Sequence, residues 1–247
     1  SYGLRYCADR IIKSILMKIS LVSSFYDIPN EIHLLNLLFC NGLEVFHLRK
    51  DLDCKHLGGA EKYTEERVRN YIERIPFYFR NRIILHSHFH LIEEYGLLGA
   101  HFTKKYSYQE YLKNKGIHNN KKPFKKIGFS LHSTAEITEY ADTYDYLFLS
   151  PIFDSISNIG YNSKFNLTRL KSFLETTSVQ SEIMALGGMN HTKVEKVNEL
   201  GFSGLSLLGH IWSRFDEDQD IISALNRYLH IMALKNGFLE KQTETKA

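Results

Sequence analysis

Cysteine is scarce in this chain. Cys7, Cys40 and Cys54 form no CxxC pair and no even set, which excludes a disulfide framework and a cysteine zinc knuckle. A reducing, cytoplasmic setting fits that usage. Long apolar runs are also missing, since charge or polarity breaks every candidate well before the roughly 20 residues a membrane span needs. A charge excess is missing too: the net charge of +3 implies no polyanion partner by itself.

What is present is material for one large core: 247 residues, 43% hydrophobic and 24% charged. The first residues, SYGLRYCADRIIKSIL, are cut by Lys13 and read poorly as a secretory leader. MKISLVSS from Met17 reads as a start leading into a strand. Residues 1–16 are therefore expected outside the fold, 17–235 as one domain, and the polar tail 236–247 as disordered.

From Lys18 onward, short apolar runs alternate with amphipathic helical stretches. The strand candidates are ISLVS (19–23), LEVFHL (43–48), RIILH (82–86), GAHF (99–102), KIGFSL (126–131), YLFLS (146–150), EIMALG (182–187) and FSGLSLL (202–208). Near-continuous apolar strands indicate a parallel sheet covered by helices. Eight such units predict a TIM (β/α)8 barrel, with an open doubly wound sheet as the alternative. In a barrel the strand exits share one pocket, so the hydroxyl-rich loop after DYLFLSP, with Ser150, Asp154, Ser155 and Ser157, would face it.

MALGGMN and, some twenty residues later, GLSLLGH place Gly187, Gly188 and Gly209 at the exits of strands seven and eight, where barrels commonly cradle a phosphate on backbone N–H groups. Arg49 and Lys50 follow strand two and suit an anion. Of twelve histidines, His47, His86, His88, His101 and His132 fall at or just past strand ends. His86 and His88 would share a face if extended, suiting a metal or a proton relay. No carboxylate accompanies them at ligand spacing, so zinc is not assigned. The segment 103–126 has eight lysines against the single acid Glu110. It reads as a solvated, partly mobile loop that would concentrate anions near the mouth. Its interleaved Tyr106, Tyr108, Tyr111 and Phe124 also admit an RNA-binding reading.

In their order along residues 18 to 212, HLRK, GAHF, IGFSLHSTAEI, DYLFLSPIFDSIS, MALGGMN and GFSGLSLLG resemble thiamine phosphate synthase and its thiazole tautomerase relatives. The resemblance implies a TIM barrel that binds thiazole phosphate at Gly187, Gly188 and the Leu208-Gly209 loop. It also implies an aminopyrimidine diphosphate held near Arg49, Lys50, Ser130 and the Ser155 to Asn158 loop, including Ser157, with pyrophosphate released with the help of Mg²⁺. Several positions depart from the synthase pattern. His47 replaces a glutamine, and the lysine comes one residue early at Lys50. His86-Ser87 replaces an asparagine-aspartate pair, Tyr106 stands where the second acidic ligand falls, and Asn158 replaces a loop lysine. With Ser87 and Tyr106 at the carboxylate positions, the metal ligands are unassigned; Asp51 and Asp154 are the remaining candidates.

The tautomerase branch needs an acid and a base rather than a metal, for which His86, His101 or His132 would serve, although Pro151 occupies that branch's histidine position. Ser130, His132, His101 and His86 are thus the catalytic candidates. Transferase is the leading expectation, isomerase the second, and a non-catalytic barrel binding phosphate ligands or RNA the third. The expected partners are phosphate and diphosphate small molecules. No membrane is expected, nucleic acid is not favoured, and a homo-oligomer stays open.

Overall fold

A computed structural model describes residues 17–50, 64–117, 122–156, 160 and 162–244, with side chains to residue 237. The expected N-terminal extension, residues 1–16, lies outside them. Eight strands, β1 (Lys18–Val22), β2 (Val45–Leu48), β3 (Ile83–Leu85), β4 (Gly99–Phe102), β5 (Lys126–Leu131), β6 (Tyr146–Leu149), β7 (Glu182–Ala185) and β8 (Gly204–Leu207), form a closed barrel in sequence order. Every pairing is parallel, and β8 returns to β1 through Lys18 opposite Gly204 and Leu21 opposite Leu207. This is the TIM barrel the sequence predicts.

Among the described residues the helices between strands are α1 (Glu31–Cys40), α2 (Glu65–Glu73), α3 (Phe77–Arg80), α4 (Leu91–Tyr95), α5 (Tyr108–Lys115), α6 (Thr134–Tyr140), α7 (Leu167–Thr176) and α8 (Val194–Leu200). After β8 come α9 (Gly209–Asp218) and α10 (Ile221–Glu244). The last helix carries on to Glu244, through most of the segment expected as a disordered tail, because nothing between 236 and 244 stops a helix already running from Ile221.

Alternation along each strand sorts the side chains. Ile19, Leu21, Phe46, Ile83, Leu85, Phe102, Phe129, Leu147 and Leu205 point outward into the large core under the helices. Val22, Ile84, Tyr146, Phe148 and Met184 fill the barrel's interior. Tyr146 fits there because its neighbour across the sheet is Gly128; a β-carbon at that position would collide with the phenol ring. Glu182 closes the lower end with Lys18 and with Lys126 at 3.2 Å. Trp212 of α9 donates its indole N–H to the Val22 carbonyl at 2.6 Å, tying the element after the last strand to the first.

The basic segment differs from its sequence reading. Thr103 and Tyr106 pair as a bridge, and Ser107 with Glu110 forms a capping box that starts α5. Tyr108, Tyr111 and Phe124 are buried, packing on Phe89 and Phe102. These three are core, which leaves only Tyr106, 36% exposed, of the four aromatics that an RNA-binding reading would stack bases on. Residues 118–121 lie outside the described set.

Candidate functional site

The C-terminal ends of the strands surround a cavity of about 280 Å³. Of the residues singled out in the sequence, Arg49, His132, Ser155, Gly187, Gly188, Leu208 and Gly209 line it. Ser150, which the sequence placed facing the pocket, lines it too, as does Ile156 of the expected Ser155 to Asn158 loop; Phe25, Leu186, Met189 and Ser206 also line it and were not singled out, and of these only Leu186 and Ser206 carried a signal, the inward parity of their strands.

One wall is backbone. Gly187 and Gly188 sit at φ of 94° and 67°, conformations costly for other residues. A β-carbon on Gly187 would lie 2.7 Å from Pro151 Cα, so the β7 exit presses directly on the β6 exit. The two loops are laced together: the Ile152 N–H donates to the Leu186 carbonyl at 2.9 Å and the Phe153 N–H to the Gly187 carbonyl at 3.2 Å. Beside them Gly209 opens α9, whose first-turn N–H groups lack intrahelical acceptors and favour an anion.

On the opposite wall the Arg49 guanidinium lies 5.1 Å from the Phe25 ring centre, and its backbone N–H donates to Ser23 Oγ at 2.9 Å. Lys50 goes elsewhere. It is 4% exposed and is held by Glu31, which also accepts from Tyr71 at 2.9 Å, and by the Tyr26 carbonyl at 2.7 Å. Burial pushes the Glu31 carboxyl up, against the lowering effect of the Lys50 ammonium. The neighbouring positions thus part: Arg49 continues the inward parity of His47, and Lys50 points into the layer under the helices.

Beneath the cavity three histidines converge from adjacent strands. His47 Nδ1 lies 3.2 Å from His86 Nε2, and His101 contacts the Tyr146 hydroxyl at 2.9 Å and Ser130 Oγ at 2.8 Å. Burial drives the His47 pKa down to about 3, helped by the Lys126 charge. Burial also takes His86 and His101 well below the usual range, with the neighbouring imidazoles and Arg49 adding to it. All three rings are therefore neutral at working pH. The sequence left zinc unassigned for want of a carboxylate at ligand spacing; the groups that gather here are other imidazoles rather than carboxylates. His88 is not among them, because its φ of 50° turns the chain and separates it from His86.

His132 lies at the rim with Nδ1 2.9 Å from the Ser150 carbonyl. A carbonyl only accepts, so Nδ1 carries the proton and Nε2 is left as the basic nitrogen. Ser157, Asn158 and Asp51 fall outside the described residues. Asp154 Oδ1 accepts the Ser163 N–H at 2.8 Å, and no carboxylate lines the cavity among the described residues. Mg²⁺ prefers hard oxygen donors, so the donors among the described residues do not fit it.

The family profile described as thiamine monophosphate synthase matches residues 28–211. The chain belongs to the thiamine monophosphate synthase family. Within it, the thiamine-phosphate synthase of Vibrio campbellii is 34% identical over 91 residues, covering 36% of this chain and 43% of that protein. The chain therefore spans less than half the length of the curated relatives it matches. A thiamine phosphate pyrophosphorylase from Bacteroides thetaiotaomicron has a similar structure, with TM-score 0.69, 25% identity, and coverage of 89% of this chain and 98% of that one. The thiamine phosphate pyrophosphorylase of Pyrococcus furiosus, at TM-score 0.61 and 16% identity over 91% of this chain and 98% of its own, shares the fold. No helix among the described residues is long and apolar enough to cross a membrane.

Proposed function

We propose that this barrel joins an aminopyrimidine diphosphate to a thiazole phosphate and releases pyrophosphate. The observation that carries this reading is one cavity lined by both the positive-φ glycines with the start of α9 and Arg49, groups that would each suit an anion. A monophosphate on the glycine wall leaves Arg49 for a second anionic group, which is what a diphosphate-bearing co-substrate supplies.

The chemistry asks little of the protein beyond position and charge. The bond from the pyrimidine methylene to the diphosphate oxygen breaks, and its electron pair leaves on pyrophosphate. The thiazole nitrogen lone pair then forms the new C–N bond. Arg49 would stabilise the charge growing on the leaving oxygens, and the glycine wall would hold the thiazole tail so that its nitrogen faces the methylene. Phe25, Ile156 and Leu186 would keep water from the cation. The test is turnover: purified protein with both precursors should release pyrophosphate, whether assayed with Mg²⁺ or with Zn²⁺. No product with either metal at high enzyme concentration would overturn the reading.

His132 favours a second reading. An imidazole at the rim, its Nδ1 held by the Ser150 carbonyl, suits proton transfer on a thiazole carboxylate phosphate, the tautomerase reaction. That reading expects conversion of the non-aromatic thiazole isomer to survive EDTA and to fall sharply in His132→Gln. Conversion unaffected by the substitution would remove His132 from the chemistry.

A further inference from the structure

We propose that His47, His86 and His101 form a binding site for a divalent first-row transition metal of the zinc class, inside the barrel one layer below the cavity. The three sit on β2, just past β3, and on β4, all facing the barrel axis. One ligand nitrogen from each lies within 4.8 Å of the other two. The best-placed pair, His47 Nδ1 and His86 Nε2, is 3.2 Å apart. Two imidazoles on one tetrahedral cation at Zn–N of roughly 2.0–2.1 Å are separated by about 3.4 Å, so this pair already has a shared-ligand spacing. The third ring, His101, has a nitrogen within 4.8 Å of both and would give up one of its two hydroxyl contacts to ligate.

The surroundings suit a metal. Tyr146 and Ser130 both reach His101, so whichever ring nitrogen turns to the ion, the other keeps a hydroxyl that fixes tautomer and orientation. The apolar rings of Phe148 and Tyr146 pack against His47 and His101 and keep water out. His86 alone of the three is partly exposed. The rings are neutral, the form that ligates. Nitrogen donors select zinc, cobalt, nickel, copper or iron over magnesium. Three protein ligands also leave a fourth position for water or a substrate oxygen.

The test uses untagged full-length protein stripped with EDTA and titrated with Co²⁺. One equivalent should bind with visible absorption of tetrahedral intensity, be displaced by Zn²⁺, and be unaffected by millimolar Mg²⁺. His86→Ala should weaken Co²⁺ binding at least about 100-fold, whereas His191→Ala, which removes a ring on the 3-10 turn His191–Lys193 stacked 5.0 Å from His230, should leave it unchanged. Absence of the absorption, or its retention in His86→Ala, overturns the site. Because a substitution in the barrel interior can unfold the chain, the zinc-loaded wild type is also read by X-ray absorption at the zinc edge. Three imidazole ligands are expected, and fewer than three refutes the assignment independently of any variant. These readouts do not depend on turnover, so the metal site and the proposed reaction stand or fall separately.

Discussion

Across the mouth of the barrel, the exits of β6 to β8 present glycine backbone and small hydroxyls, whereas β2 to β4 present a guanidinium at the rim and imidazoles a layer down. Gly187, Gly188 and Gly209 keep the pattern that the family resemblance leads one to expect, although Pro151 and Asn158 depart from it after β6; on the other side His47, His86, Ser87 and Tyr106 stand where an amide or a carboxylate was expected. The difference shows how the fold divides its labour. A backbone cradle depends on φ angles and close loop packing, which few residues other than glycine allow. The opposite wall is made of side chains, which can be exchanged while the strands beneath stay in register.

Several substitutions would break or sharpen that contrast. The largest effect is expected away from the ligand, at Lys50→Met. It strands the Glu31 carboxylate, 3% exposed, without its cation and should cost about 3–5 kcal/mol in a urea unfolding curve. Anion affinity of the remaining folded protein should be unchanged; a selective loss of affinity would return Lys50 to the site. Next is Gly188→Val, which forces a β-branched residue to φ 67° against Phe153 and Asp154. Thiazole phosphate binding by calorimetry should fall at least about 100-fold, the equivalent of losing two charge-assisted hydrogen bonds, and unchanged affinity would place the phosphate elsewhere. Arg49→Ala should weaken pyrophosphate by roughly 10- to 100-fold, the value of one charge-assisted contact, and leave thiazole phosphate nearly untouched. Equal losses for the two ligands would erase the division between the walls.

The smallest effect is at His210, next to Gly209. Its ring is lowered to about 4, mainly by burial and then by His191, Arg227 and His230, and its Nε2 is buried without a hydrogen-bond partner. The unfolded chain takes up the proton near 6.5 and the folded one only near 4. Stability from this group is therefore full above pH 6.5 and declines as pH falls towards 4. His210→Phe should reduce the loss of unfolding midpoint between pH 7 and pH 5; an identical loss would show that the ring already titrates freely.

The barrel was legible in the sequence because eight apolar runs spaced by amphipathic stretches leave few other ways to bury both faces of the sheet. GAHF and KIGFSL were bounded correctly by their flanking polar residues. Helix α5 was hidden by its lysines, although Ser107 with Glu110 and the terminal Gly116 marked both of its ends. Helix α9 was hidden because Gly209 reads as a turn residue. Each of His47, His86 and His101 could be placed at a strand end, but their meeting depends on the stagger between strands, which sequence periodicity does not carry. The separation of Arg49 from Lys50 was available from parity alone, since successive residues leaving a strand face opposite sides.

The chain's single tryptophan, Trp212, is bonded to Val22 one turn beyond Gly209, at the seam where the ring of strands closes. Its fluorescence is therefore a built-in optical gauge of whatever settles on the glycine wall. A titration could be followed by emission from the native protein without attaching a dye, excited at the red edge of the indole band where the fifteen tyrosines barely absorb, so that the signal comes from that one joint.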